Sequence, residues 1–234
     1  MLQLVIGNKN YSSWSMRPWV LMRQFGIPFE EIKLRFDFTP GSSFYRELAR
    51  HTPAKKVPVL LIDGFAVWDT LAIAEALADH HPTLAMWPRE PLQRARARSL
   101  CAEMHAGFGA LRSHCPMNIE ASLPEVGARV LAEQAAVRDD LARIDAMWSE
   151  QLGASGGPFL FGAFTIADAY YAPVVSRLRT YGLPLSTAAR AYCDRVWASD
   201  GVAAWVADAL AEKDYLDFEE PYRKSRDGAA PNAS

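Results

Sequence analysis

Cysteine is scarce in this chain: Cys101, Cys115 and Cys193 are widely spaced among 234 residues and form no C-x-x-C pair. That excludes a disulfide framework and the paired-thiol pattern of a structural zinc site, and it suits a reducing compartment. Net charge is nearly absent, because 25 basic and 27 acidic side chains leave only -2. No field of one sign draws the whole molecule to nucleic acid or to anionic lipid. Long apolar runs are missing too. No stretch approaches the roughly 18 residues of a membrane span, and no basic segment followed by an apolar one opens the chain. The expectation is a soluble, unexported, cytoplasmic protein with no nucleic acid and no membrane as partner. Internal repeats and low-complexity tracts are absent, as is the G-x-S-x-G elbow that would support a serine hydrolase.

What is present is an apolar content of 50 %, enough for a substantial core. Leu2 to Ile6 is a short apolar run before Gly7-Asn8 and predicts a buried strand ending in a turn. From Pro18 onward Trp19, Val20, Met22 and Phe25 predict a helix stopped by Gly26 and Pro28. Phe29 to Phe36 predicts a second strand, and Ser42 to Arg50 a short polar helix. Val57 to Ile62, the turn Asp63-Gly64 and Phe65 to Trp68 form a hairpin signature, since Asp-Gly tolerates a two-residue turn. A helix with Leu71, Ala74, Leu77 and Ala78 on one face runs to His80-His81-Pro82.

Beyond residue 82 the pattern is helical. Leu92, Leu100, Met104, Phe108 and Leu111 predict one long helix, and Val126 to Leu152 a second, ended by a glycine-rich breaker. Shorter helices are expected over 165–179, 187–199 and 201–211. The organisation is a β-α-β-β-α domain over 1–82, an all-helical domain over 91–216, and a frayed polar tail over 217–234 with few apolar anchors.

Three places carry candidate chemistry, each with a structural alternative. In Tyr11-Ser12-Ser13-Trp14-Ser15 a serine either caps the following helix or donates its hydroxyl to a thiolate. Moving a thiol from about 8.5 down by about two units takes only about 2.7 kcal/mol, the order of one hydroxyl plus a helix dipole. In Lys55-Lys56-Val57-Pro58 the proline either opens a strand or, if its bond is cis, turns the Val57 backbone toward a bound peptide. Asp69-Thr70 either caps a helix, with Thr70 in a capping box, or holds the carboxylate and ammonium of a ligand.

In this order on this scaffold, the motifs resemble the glutathione transferase family. Tyr-Ser-Ser-Trp-Ser-Met-Arg is similar to the serine motif of its zeta-like classes, Thr52 to Leu60 to its Val-Pro loop, and Thr165 to Asp168 to its structural capping box. The resemblance implies a thioredoxin-like N-terminal domain with an all-α helical C-terminal domain. It further implies glutathione as co-substrate, no metal, a homodimer, and a small electrophile as second partner. Ser12 would contact the sulfur, five residues ahead of Arg17, with Ser13 and Ser15 as alternatives. Val57 and Pro58 would meet the cysteinyl backbone, Lys55 or Lys56 the glycine carboxylate, and Asp69-Thr70 the γ-glutamyl end. Asp69 is one methylene shorter than the glutamate found there in relatives. The absence of a cysteine from the serine turn argues against mixed-disulfide chemistry.

The acceptor pocket is expected around His105, Phe108 and Arg112 on the first helix of the second domain, with Arg112 suited to an anionic acceptor. Each histidine has an ordinary structural alternative, and Phe108 has a place in the core. Conjugation is the leading expectation; a glutathione-dependent isomerase and a non-catalytic binding protein of the same fold are its alternatives.

Overall fold

A computed structural model describes residues 1–226, and the last eight residues of the expected tail lie outside it. The first domain runs β1 (Leu2–Ile6), α1 (Ser13–Gln24), β2 (Glu30–Lys33), α2 (Ser43–Leu48), β3 (Val59–Ile62), β4 (Phe65–Trp68) and α3 (Thr70–His80). The strands form one sheet in the order β2-β1-β3-β4, with β1 parallel to β2 and antiparallel to β3. The hairpin pairs Ile62 with Phe65 across the expected Asp63-Gly64 turn.

Because side chains alternate across a pleated sheet, each buried strand serves two cores. Leu4, Ile6 and Leu60 point into the main core shared with α1, α3 and the helical domain. Val5, Val59 and Leu61 point the other way, onto Phe44 and Leu48 of α2.

Helix α1 starts five residues before the expected Pro18. Proline sits inside it and removes a single internal bond, that to the Trp14 carbonyl. Every residue from Ser15 to Met22 is buried, since the sheet, α8 and α10 all pack on this helix. Gly201 permits the closest of these approaches: a Cβ there would stand 2.5 Å from the Val20 carbonyl oxygen.

The second domain runs α4 (Pro91–Ala106), α5 (Gly109–His114), α6 (Pro124–Glu133), α7 (Ala135–Ser155), α8 (Ile166–Thr180), α9 (Thr187–Trp197) and α10 (Asp200–Glu212). Each of the two long helices expected from the apolar spacing is therefore two. The first breaks at Gly107-Phe108, where Phe108 takes the left-handed conformation at φ 54, and the second breaks at Gln134. Helix α8 begins in the expected capping box. Asp168 is fully buried and accepts from the Thr165 amide at 2.8 Å, the Leu160 amide at 3.2 Å and the Tyr192 hydroxyl at 3.0 Å. Burial still raises its pKa to about 6.

The expectation of a frayed tail is corrected for 217–226. Leu216, just ahead, is buried in the smaller core, and a 3-10 turn at Asp217–Glu219 follows. Glu220 is also buried, taking the Tyr11 hydroxyl at 2.7 Å, Asn118 Nδ2 at 2.9 Å and Arg223 Nε at 2.8 Å. Composition missed this strap because beyond Leu216 its anchors are polar and ionic rather than aliphatic.

Candidate functional site

The turn that leads into α1 is fixed from both domains. Lys9 is buried with its Nζ 2.7 Å from Glu31, 2.5 Å from Asp208 and 4.4 Å over the Trp19 ring. Asn10 Nδ2 donates to Asn118 Oδ1 at 3.1 Å, and Asn10 Oδ1 accepts the Glu120 amide at 2.9 Å. These anchors hold Ser12 at the N-cap of α1, where its side chain makes no capping bond. Its hydroxyl instead lies 2.7 Å from Ser15 Oγ, which accepts the Gly7 amide at 3.2 Å. Ser15 is fully buried, so its grouping among the sulfur partners is corrected: it meets Ser12 and has no face open to a ligand. Ser13, the first helical residue, is half-buried and lines the cleft. The Tyr11 hydroxyl is already committed to Glu220, and burial together with that bond pushes its pKa far up.

Two cavities of about 410 Å³ each open beside this turn, and Trp14 and Val57 line both. The first lies among Trp14, Lys56, Val57, Pro58, Trp68, Asp69, Thr70 and His105. The Val57-Pro58 bond is cis, and the β3 ladder begins only at Val59. Lys56 reaches this cavity, whereas Lys55 is exposed at φ 53 and does not line it.

Asp69 caps α3 at φ 72, with Oδ1 accepting the Leu71 amide at 2.9 Å and Oδ2 3.3 Å from His105 Nε2. Of Asp69 and Thr70, the two residues expected at the cap, Asp69 takes it, and the Thr70 hydroxyl shares a 2.5 Å hydrogen bond with Tyr170. His105 belongs to this cavity and not to the one holding Arg112. It stacks edge-on to Trp14, with centroids 5.0 Å apart.

The second cavity lies among Tyr11, Ser12, Ser13, Trp14, Arg112, Arg177 and Glu219. Phe108 is corrected as a lining residue: it is buried in the main core and lines neither cavity. Arg112 lines this cavity, 5.7 Å from the Trp14 ring. Behind Trp14, at 4.0 Å, stacks the guanidinium of the buried Arg17. Only its Nε has a partner among the described residues, the Tyr170 carbonyl at 3.2 Å, and burial lowers its pKa to about 9. Burial likewise lowers Arg177 to about 10.

Tyr170, Arg177 and Glu219 were not singled out from the sequence. The first two carried a usable signal, since they stand seven residues apart on α8 and so share one face. Glu219 carried none. All three cysteines are buried, and burial raises Cys115 and Cys193 to about 12, so none presents a thiolate to either cavity. Among the described residues no group of three or more His, Cys, Asp or Glu is arranged to hold a metal, and no helix is long and apolar enough to cross a membrane.

A four-stranded mixed sheet with a cis-proline, closed by an all-helical domain, makes this a two-domain thioredoxin-like protein. Family models described as "Glutathione S-transferase, N-terminal domain" and "Glutathione S-transferase, C-terminal domain" match residues 11–80 and 130–208, together more than half of the chain. The chain belongs to the glutathione S-transferase family.

It is 30% identical over 102 residues to maleylacetoacetate isomerase of Rattus norvegicus, a match covering 44% of this chain and 47% of that protein. It is 28% identical over 101 residues to the probable maleylacetoacetate isomerase of Caenorhabditis elegans, covering 43% and 45%. The match thus spans about half the length of these curated relatives. Among solved structures, a glutathione transferase homolog from Burkholderia GL BGR1 with bound glutathione aligns with a TM-score of 0.67 at 22% identity, over 90% of this chain and 98% of that one. A diazinon-metabolizing glutathione S-transferase of the silkworm Bombyx mori aligns at 0.69 and 18% identity, over 91% and 98%.

Proposed function

We propose that the chain is a cytoplasmic, homodimeric enzyme that binds glutathione in the first cavity and presents its thiolate to a small electrophile in the second. The observation that carries this reading is the junction of the two cavities at Trp14 and Val57, with the Ser12 and Ser13 hydroxyls beside it. The cysteinyl backbone pairs with Val57, the glycine carboxylate meets Lys56, and the γ-glutamyl end lies at Asp69-Thr70. There the ligand's ammonium competes with His105 for Asp69 Oδ2.

Hydroxyl rotors are free to choose a direction. Ser15 Oγ accepts both the Gly7 amide and the Ser12 hydroxyl, and rotation of the Ser12 hydroxyl turns its proton from Ser15 to the sulfur of a bound ligand. Arg17 behind Trp14 and Arg112 beside it add positive charge on the same side, which favours thiolate over thiol. Ser12 is thus the sulfur's partner, Ser13 the neighbouring donor and Ser15 the group that orients Ser12.

Arg112 and Arg177 suit an anionic acceptor. The relatives named maleylacetoacetate isomerase favour, as a second reading, an isomerase that returns its glutathione. Calorimetric titration with glutathione tests the proposal: saturable binding is expected, weakened about tenfold in Thr70→Val, and a folded protein that takes up none overturns it. Counting free thiol during turnover separates the readings, because conjugation consumes it and isomerisation does not. In Arg112→Ala the KM for an anionic acceptor is expected to rise about tenfold, the order of one charge-assisted hydrogen bond. An equal rise for a neutral acceptor contradicts that role.

A further inference from the structure

The strap that follows α10 brings a carboxyl into the acceptor cavity. Glu219 is the last residue of the 3-10 turn, and it lines the same cavity as Ser12, Ser13 and Arg112. The backbone on either side of it is pinned, by Leu216 in the smaller core and by Glu220 on Tyr11, Asn118 and Arg223. No hydrogen bond or ion pair among the described residues engages the Glu219 side chain, although its neighbour is fully paired. A carboxyl held half-buried in the lining of a reaction cavity, with no partner among the described residues, is available to a ligand.

We propose that Glu219 is the proton donor to acceptors whose electrophilic carbon belongs to an alkene conjugated with a carbonyl. This inference rests on the glutathione reading above. As the thiolate sulfur bonds to the β-carbon, the π pair of the alkene moves into the enolate, and the Glu219 carboxylic proton passes to the α-carbon. Glu219 is left as a carboxylate and is reprotonated from solvent, which has already received the proton lost by the thiol. Thiol has then added across the double bond, with atoms and charge balanced. In the reverse direction the carboxylate removes the α-proton, the C–S bond breaks, and the alkene re-forms.

Burial and the neighbouring Glu220 carboxylate raise Glu219 to about 7, which suits proton transfer at neutral pH. The charged and titratable groups facing it across the cavity are Tyr11 from the β1–α1 turn, Arg112 from α5 and Arg177 from α8, with Glu220 beside it on the strap. Arg177, lowered only to about 10, and Tyr11, pushed up by burial, hold their protons through this range, so a transition near pH 7 on the acceptor side belongs to Glu219. Its acid form is the active one. Enone turnover therefore falls as pH rises through about 7, against the rising thiolate fraction.

The test compares benzoylacrylic acid, an anionic enone, with a chlorodinitrobenzene, from which chloride leaves without a proton. In Glu219→Gln the enone kcat is expected to fall about a hundredfold further than the chloroarene kcat, with the falling limb above pH 7 abolished. Glu219→Asp should recover part of the loss and restore that limb. Parallel losses on both acceptors, or an undiminished enone rate, overturn the proposal. Glutathione calorimetry on the same samples confirms their folding and isolates the underlying reading: a folded wild type that binds no glutathione fails there first, whereas one that binds and conjugates the chloroarene but not the enone refutes Glu219 alone.

Discussion

Ser12 and Ser15 are one helical turn apart, and that spacing divides their roles. Ser15 points back into the protein toward the Gly7 amide, while Ser12 stands at the cleft and shares the hydroxyl contact between them. Ser15→Ala is expected to leave the Gly7 amide unpaired and to cost about 1–2 kcal/mol of stability, read by urea denaturation. It should also raise the pKa of a bound thiol, since Ser12 loses the group that orients it. The three hydroxyls were legible in the sequence as a cluster, but their division of labour was not. Placing the helix start at Pro18 hid the i, i+3 relation of Ser12 and Ser15, which appears once α1 begins at Ser13. Asp69-Thr70 was legible as a helix start, and of the two residues Asp69 takes the cap. His105 was placed one cavity away from its expected position because sequence spacing along α4 does not reveal its pairing with Asp69.

The helices carry the second lesson. The hydrophobic spacing from Met104 through Phe108 to Leu111 stays in phase across the α4–α5 break, so periodicity alone cannot detect it. Gly107 was the available signal: a Cβ there would meet the Glu103 carbonyl oxygen at 2.8 Å. The Thr165–Asp168 box, in contrast, was legible because reciprocal capping needs two fixed residue types at a fixed spacing. Asp168→Ala is expected to destabilise the helical domain by about 3 kcal/mol, since it strands two buried amides and the Tyr192 hydroxyl. A midpoint shift in denaturant without a change of slope checks it. Gly201→Val should likewise force α10 away from α1 and lower stability by about 1–3 kcal/mol, because the added group has no room beside the Val20 carbonyl.

At the scale of the whole molecule, two domains meet around α1 and the strap ties them together. Asp214 holds Arg35 through Nε at 2.8 Å and Asn8 through Nδ2 at 2.9 Å, and Arg226 holds Glu120 at 2.6 Å. Contacts of this kind, between residues about 100 or 200 positions apart, leave no periodic trace in the sequence. The two-domain division was legible because the hydrophobic period changes near residue 82, and the closing strap was not. Glu220→Ala should leave Arg223 without its buried partner and free Tyr11. The expected loss is about 3 kcal/mol, with a rise in acceptor KM that exceeds any change in glutathione affinity. Equal changes in both would mean that the strap supports the fold without shaping the acceptor cavity.

In the proposed site a hydroxyl, a helix start and buried guanidinium charge act together on one sulfur. Ultraviolet titration of glutathione bound to the protein measures this directly, because thiolate absorbs where thiol does not. The expected result is a bound thiol titrating about two units below the free value of about 8.5, with roughly one unit of that shift lost in Ser12→Ala. A bound thiol that titrates like free glutathione, or a shift untouched by loss of the Ser12 hydroxyl, would contradict it.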